Sequence, residues 1–508
     1  MSASPAGRSA ATASLRGSSL LLAGRMMALG VDFAAHVLVV RYLAKAEFGA
    51  YSYALAVSNL LATAVLLGLP ETLARYVPIY RERGEIGKAG GAVVVAGAIV
   101  AGAGAVCVAV VLALPGLTAS ALDSERTAAL LAVLVLLVPI EGVNLVGQAL
   151  FAALGRVRLV FMRQYIVVPG LRFAVVLTLV AAGYGATFLA VGWVLASAAG
   201  LLLYVTVSLP SARKAARALD RRLELPAREL LTFALPVFLS TLFLLALVGS
   251  GTVALGLLGG PEQVAELQAV MPPARLNLLV LTVFSVLYVP TAATLFARGD
   301  LAELRRAYNA TTLWLVVLSL PVLALTTVFA PVFVPTVFGQ QYASSIDVLA
   351  LLAAGFFFTT AIGPNGSTLK VFRRLRFTVT IDLVSLVLGT VLVFALVYVA
   401  GTRGAALGTL IAIVGRNLAL QAALHHVIGG SVLGGAYVRL VAGAALVLAV
   451  LLAIQLLLAP GLVVAVVLSG LGGLALVFAA RRALDVEGTF PEIAGTRLGR
   501  LLGYSVRR

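Results

Sequence analysis

Arg25, Arg172, Arg275 and Arg416 each lie near the middle of an apolar stretch long enough to cross a bilayer. A cation at that depth costs roughly 2.5–3.5 kcal/mol on insertion scales, so such a residue faces a polar cavity or a partner of opposite charge. Guanidinium stays ionised at any physiological pH, and its planar fork grips phosphate oxygens bidentately. The four arginines are therefore the candidate binding set for an anionic group, and a diphosphate fits such a set well.

Other polar residues accompany them. Arg25, Asp32 and His36 fall within an arc of roughly 40° at 100° per residue, and Asp32 and His36 are also neighbours at i,i+4. Glu141, Asn144 and Gln148 fall within about 60° of helix surface. Pro169 precedes Arg172, where it should kink the helix. Pro272-Pro273 should break or bend the helix just before Arg275 and Asn277, freeing carbonyls to line a cavity. Arg416 is followed by Asn417 and Gln421. A structural alternative pairs each arginine with Asp32, Glu141 or Asp382. Three carboxylates cannot neutralise four arginines, and Asp382 reads as lying near the cytoplasmic end of its span, so a positive surplus is expected at the centre. Asp32, His36, Glu141, Asn144, Gln148, Asn277, Asp382, Asn417 and Gln421 are candidates for cavity-lining or ion-coupling groups, because a buried carboxylate can exchange a proton or hold a cation. The histidines lack metal-ligand spacing, and the single cysteine, Cys107, excludes an intramolecular disulfide or a thiolate cluster. No metal and no cofactor is expected, apart from a coupling ion such as H+ or Na+.

The elements that position these residues must be transmembrane helices. Of the 508 residues 61% are hydrophobic and only 11% are charged, which is outside the range of soluble domains. Apolar runs of about 20 residues recur without the ten-residue alternation of barrel strands. Fourteen spans are expected, near 17–40, 48–69, 89–114, 128–153, 160–182, 187–209, 230–257, 264–296, 308–336, 346–369, 377–399, 404–427, 435–458 and 461–480. No cleavable signal peptide is apparent, since Arg25 and Asp32 interrupt the first run. With a cytoplasmic N-terminus, most of the 37 Lys and Arg fall in inner loops and tails, leaving Arg41, Lys45, Arg126 and Arg403 outside. The clusters Arg213-Lys214, Arg221-Arg222, Arg373-Arg374 and Arg481-Arg482 then anchor the inner face to anionic lipid, and the net charge of +17 needs no nucleic-acid partner.

The chain repeats internally. A shift of 215 residues lays Glu47–Glu85 on Glu262–Asp300 without a gap, with Arg83-Gly84-Glu85 falling on Arg298-Gly299-Asp300. A shift of 218 lays Arg156-Val157-Arg158 on Arg374-Leu375-Arg376 and Gly183 on Gly401. Six spans per repeat is an even number, so the repeats are parallel and related by a pseudo-two-fold axis along the membrane normal. The expected organisation is an N-lobe over 13–210, a basic cytoplasmic linker over 211–228, a C-lobe over 229–428, two extra helices over 434–482, and a cytoplasmic tail over 483–508. The fold class is an all-α polytopic membrane protein.

The stretch Arg41-Tyr42-Leu43-Ala44-Lys45-Ala46-Glu47-Phe48-Gly49-Ala50-Tyr51 resembles the loop after the first span of polysaccharide flippases. Leu67-Gly68-Leu69-Pro70 through Arg75-Tyr76 and Arg83-Gly84-Glu85 extend the likeness. These flippases belong to the multidrug/oligosaccharidyl-lipid/polysaccharide exporter superfamily. The resemblance implies a flippase in the cytoplasmic membrane that carries a polyprenyl-diphosphate-linked oligosaccharide from the inner to the outer leaflet by alternating access. It also implies lipid-linked oligosaccharide and membrane lipids as partners, with polymerase or glycosyltransferase machinery nearby, and a lipid-tail groove for the two extra helices, as in related lipid II flippases. A lipid II flippase and a multidrug/cation antiporter of the same superfamily remain open. A membrane glycosyltransferase or ligase is disfavoured, because every outer loop is short and sparsely polar, so the chain is not expected to be an enzyme.

Overall fold

The computed structural model describes residues 5–116, 124–154, 157–218, 224–372, 375–428 and 434–484. Among these no strand occurs. Apolar sequence in a bilayer satisfies its backbone groups most simply within helices. The tail beyond residue 484, Arg156, Arg221-Arg222 and Arg373-Arg374 lie outside the described residues.

The chain forms two compact units, Met1–Ala265 and Glu266–Arg508. The first holds α1 (Pro5–Tyr42), α2 (Lys45–Leu66), α3 (Leu69–Glu82), α4 (Ile86–Ala113), α5 (Glu125–Leu134) and α6 (Leu137–Ala153). A short α7 (Val157–Phe161) leads through a π-helical turn, Met162–Val167, into α8 (Val168–Ala182), followed by α9 (Ala186–Ala218) and α10 (Ala227–Leu258). Helix α11 (Pro261–Arg275) begins in the first unit and ends in the second. Helix α1 packs on α8, α6 packs on α4, α3 and α9, and α10 packs on α2 and α3. The packing boundary thus falls after α10, whereas the lobe boundary read from the repeat falls before it. These are different properties of the chain, one of contacts and one of ancestry in sequence.

In the second unit a 3-10 turn, Leu276–Leu278, precedes α12 (Leu279–Ala297) and α13 (Leu301–Thr326). Helix α14 (Ala330–Phe338), a 3-10 stretch (Gln340–Ser345), α15 (Ile346–Ala361) and α16 (Asn365–Val371) come next. Helix α17 (Leu375–Ile428) is two helices meeting at Gly401, whose φ of 54° and ψ of −130° are non-helical. Helices α18 (Gly435–Leu458) and α19 (Leu462–Leu484) complete the unit. Both pack on α13 around Leu313, Val316, Val317 and Leu320, which meet Leu440, Ala444 and Leu476. Gly473 permits this approach, since a Cβ there would stand 2.5 Å from Pro321 Cγ. Tyr437 Oη of α18 donates to the carbonyl of Ala361 at 3.0 Å. The extra helices are built into the second unit.

The repeat is visible in backbone hydrogen bonds. Arg83 N, Gly84 N and Glu85 N donate to the carbonyls of Ile79, Arg81 and Tyr80. Arg298 N, Gly299 N and Asp300 N donate to those of Thr294, Phe296 and Leu295, the same pattern displaced by the 215-residue shift. Gly84 and Gly299 hold φ at 74° and 75°, left-handed values that admit glycine without a Cβ penalty. Each turn delivers the chain into the next helix.

Eleven described helical stretches are long and apolar enough to cross a membrane, among them Phe377–Ile428, which contains the Gly401 junction, with Leu245–Leu258 a shorter apolar helix. The protein is a multi-pass membrane protein; fourteen remains the expectation from sequence. The expected helix break before Arg275 is corrected. Helix α11 carries Pro272 and Pro273 inside it and runs to Arg275, with the 3-10 turn directly after. A proline removes one backbone donor and crowds the preceding turn, which a helix held by its neighbours absorbs.

Candidate anion-binding clusters

In the first unit Glu141 of α6 is the centre of a network. Its Oε1 accepts from Arg172 Nη2 at 3.1 Å and from Ser197 Oγ at 2.6 Å. Its Oε2 accepts from Arg163 Nη2 and Asn144 Nδ2, each at 3.5 Å. Arg172 Nη2 also donates to Ser197 Oγ at 3.0 Å. Both guanidiniums lie over aromatic rings, Arg172 Cζ 5.3 Å from the Trp193 centroid and Arg163 Cζ 4.9 Å from that of Tyr204, where the ring quadrupole favours a cation. The two guanidiniums share this one carboxylate as their hydrogen-bonded anion. Gln148, one turn from Asn144, donates instead to Gln164 Oε1 at 2.8 Å.

The π-helical turn just before Pro169 places the arginines. It widens the helix by about one residue per turn, and Pro169 follows in the first turn of α8, the helix that carries Arg172. Arg163 sits within the turn and is buried, while Arg172 comes after the proline and is half-buried. Sequence reading omitted Arg163, because it stands close to Arg156 and Arg158 and looks like part of an inner-face basic set. Its inclusion in an otherwise apolar run from Leu159 was the available signal. On α1, Asp32 is exposed, close enough to Arg172 to feel its charge. His36 meets Phe48 edge-on at 5.9 Å. Arg25 is partly exposed, and among the described residues no carboxylate forms an ion pair with it.

In the second unit Arg416 binds Asp382 closely. Nε and Nη2 approach Oδ1 at 2.8 and 2.7 Å, with side chains 15% and 5% exposed. The two helices of α17 meet at Gly401 and bring Asp382 against Arg416, which is the internal pairing offered above as the structural alternative. Arg275 differs. It is exposed at the end of α11, and among the described residues no carboxylate pairs with it. The next polar residue, Asn277, is fully buried and donates to Thr326 Oγ1 at 3.2 Å, while its carbonyl accepts from Thr360 Oγ1 at 2.7 Å. These bonds pin the 3-10 turn and fix where Arg275 projects. Asn417 Nδ2 donates to Thr359 Oγ1 at 3.0 Å, and Gln421 Oε1 accepts from Tyr308 Oη at 3.0 Å. Asn277, Asn417 and Gln421 therefore brace helices. No group of His, Cys, Asp and Glu suited to a metal occurs among the described residues.

The sequence profile of a family described as polysaccharide biosynthesis protein matches residues 14–296, which is more than half of the chain. The chain belongs to the polysaccharide biosynthesis protein family. No curated protein sequence matches it. Among solved structures this family member is similar to the lipid II flippase MurJ in its inward closed conformation, with a TM-score of 0.70 at 12% identity over 92% of this chain and 99% of that one. It is also similar to an inward-facing multidrug resistance MATE family transporter of the MOP superfamily, with a TM-score of 0.64 at 16% identity over 81% and 98% of the two chains. A third is a MOP superfamily transporter from Pyrococcus furiosus Vc1 (DSM3638) described as having a binding pocket of reverse polarity, with a TM-score of 0.55 at 15% identity over 82% and 95%. The polysaccharide biosynthesis family member therefore has the fold of these MurJ and MATE structures. Its site residues rest on the geometry above.

Proposed function

We propose that the chain is a flippase that carries a polyprenyl-diphosphate-linked oligosaccharide from the inner to the outer leaflet of the cytoplasmic membrane by alternating access. The observation that carries this reading is Arg275, a guanidinium at a helix break within an apolar stretch, exposed and without an ion pair among the described residues. Arg25, partly exposed within α1, likewise has no ion pair among the described residues, and Arg172 and Arg163 bring two guanidiniums to the one carboxylate of Glu141. A cation that no internal carboxylate satisfies favours an anionic cargo, and the guanidinium fork suits a diphosphate. The polyprenyl tail stays in lipid while the head group crosses. Both termini are cytoplasmic in this reading, an H+ or Na+ gradient or removal of product outside gives direction, and polymerase or glycosyltransferase machinery supplies or consumes the cargo.

A lipid II flippase is the second reading. It is favoured by the extent of the MurJ likeness, which covers 92% of this chain against 81% for the multidrug transporter. The test is protection of a fluorescent polyprenyl-diphosphate oligosaccharide from a membrane-impermeant reagent in proteoliposomes. Transport above empty liposomes supports a flippase, and stronger competition by unlabelled lipid II than by lipid-linked oligosaccharide selects the second reading. No transport of either substrate by folded protein contradicts both.

A further inference from the structure

The two oxygens of Glu141 face different surroundings. Oε1 accepts from Arg172 and Ser197, and Oε2 from Arg163 and Asn144. The Arg163 side chain is 6% exposed, whereas those of Arg172 and Glu141 are 26% and 28% exposed. The accessible part of the network is therefore formed by Arg172 and Glu141, while Arg163 is a buried cation held on Oε2. Arg163 is seated against Tyr204 and against Gly200, where a Cβ would stand 3.0 Å from Nε. Its Nε and the Nε of Arg172 are both buried without a hydrogen-bond partner. Two guanidiniums thus have donor capacity left after binding the single carboxylate.

We propose that Glu141 is a built-in stand-in for the phosphate of the cargo: in the unloaded protein its Oε1 occupies the donors of Arg172 and Ser197, and an incoming diphosphate oxygen displaces it. Oε2 meanwhile keeps Arg163 neutralised, which matters because a buried charge stripped of its partner is strongly unfavourable. This rests on the anionic-cargo reading above and specifies how the same site releases what it binds. Two guanidiniums with no internal anion would hold a diphosphate too tightly for turnover. A carboxylate that competes for the same donors lowers the net affinity and returns to Arg172 as the cargo leaves. Glu141 is then a release residue, and Arg163 is the positioning residue that keeps it within reach.

The experiment is calorimetric titration of the purified full-length protein with inorganic pyrophosphate and with farnesyl diphosphate, at one fixed salt concentration. The proteins are wild type, Glu141→Gln, Arg163→Met, Arg172→Ala and Arg275→Ala. Glu141→Gln keeps the shape and removes the charge, so it should bind about tenfold tighter and turn over more slowly in proteoliposomes. Arg163→Met gives the whole carboxylate to Arg172 and should weaken binding by a comparable factor, a change opposite in sign. Affinity unchanged or reduced in folded Glu141→Gln overturns the proposal. If that variant does not fold, Arg163→Met decides, and unchanged or tighter binding overturns it. Binding that ignores Glu141, Arg163 and Arg172 but is lost in Arg275→Ala removes this inference and leaves the flippase reading intact. Absence of binding in the folded wild type removes both.

Discussion

Arg275 and Arg416 are both guanidiniums set in membrane-length helical stretches, and their surroundings give them opposite consequences. Arg416 is closed off by Asp382, with both side chains largely buried. Asp382→Ala would strand that cation, so a loss of about 3–5 kcal/mol is expected, read as a large drop in thermal midpoint in detergent. Arg275 has no such partner among the described residues. Arg275→Ala should leave the thermal midpoint within a few degrees while lowering transport at least about tenfold, since a hydrogen bond to a charged group contributes about 1.5–3 kcal/mol. Arg275→Lys should recover only part of the activity, because an ammonium lacks the planar fork. Type and spacing alone revealed the four arginines, yet not which were already satisfied. That depends on tertiary partners such as Glu141, 31 residues from Arg172, and Asp382, 34 residues from Arg416. The Arg416 pairing had a readable cue, since both residues lie at similar distances on either side of Gly401. Arg163 had a weaker one, because a π-helical turn leaves little mark in composition.

At the scale of elements, apolar run length and glycine placement made most helices legible. The Arg-Gly-acidic turns at Gly84 and Gly299 appear with matching hydrogen bonds. The prolines were less informative. Pro169 adjoins the distortion that positions Arg172, whereas Pro272 and Pro273 lie inside α11 and the break comes after them. A proline states that a donor is missing, while neighbouring helices decide where the backbone yields. The docking of α19 on α13 makes a testable demand. Gly473→Val would force a side chain against Pro321, and a cost of about 1–3 kcal/mol is expected from overpacking. Tyr437→Phe removes the bond to Ala361 and should cost about 0.5–1.5 kcal/mol. Thermal unfolding of each variant checks these values, and an unshifted midpoint for Gly473→Val would contradict the close packing.

Across the whole molecule, composition established a helical membrane protein, and the repeat pointed to two lobes. The packing units divide at Ala265 and not at the basic linker, because α10 gives its apolar face to α2 and α3. Contacts of that kind are set by side-chain fit between distant segments and leave no periodic signature. Orientation is set by the distribution of Lys and Arg. With Cys107 replaced by Ala, a single cysteine at Arg403 should react with an impermeant maleimide from outside intact cells, and one at Asp300 only after permeabilisation. The reverse pattern would invert the topology.

The most direct measurement is the initial rate of translocation of a fluorescent polyprenyl-diphosphate oligosaccharide in proteoliposomes, compared between wild type and the Arg25→Ala/Arg275→Ala double variant at matched protein content and thermal midpoint. Transport by the wild type and none above empty liposomes by the variant is the expected result. Equal rates would contradict the central claim that arginines without an ion pair among the described residues carry the anionic head group.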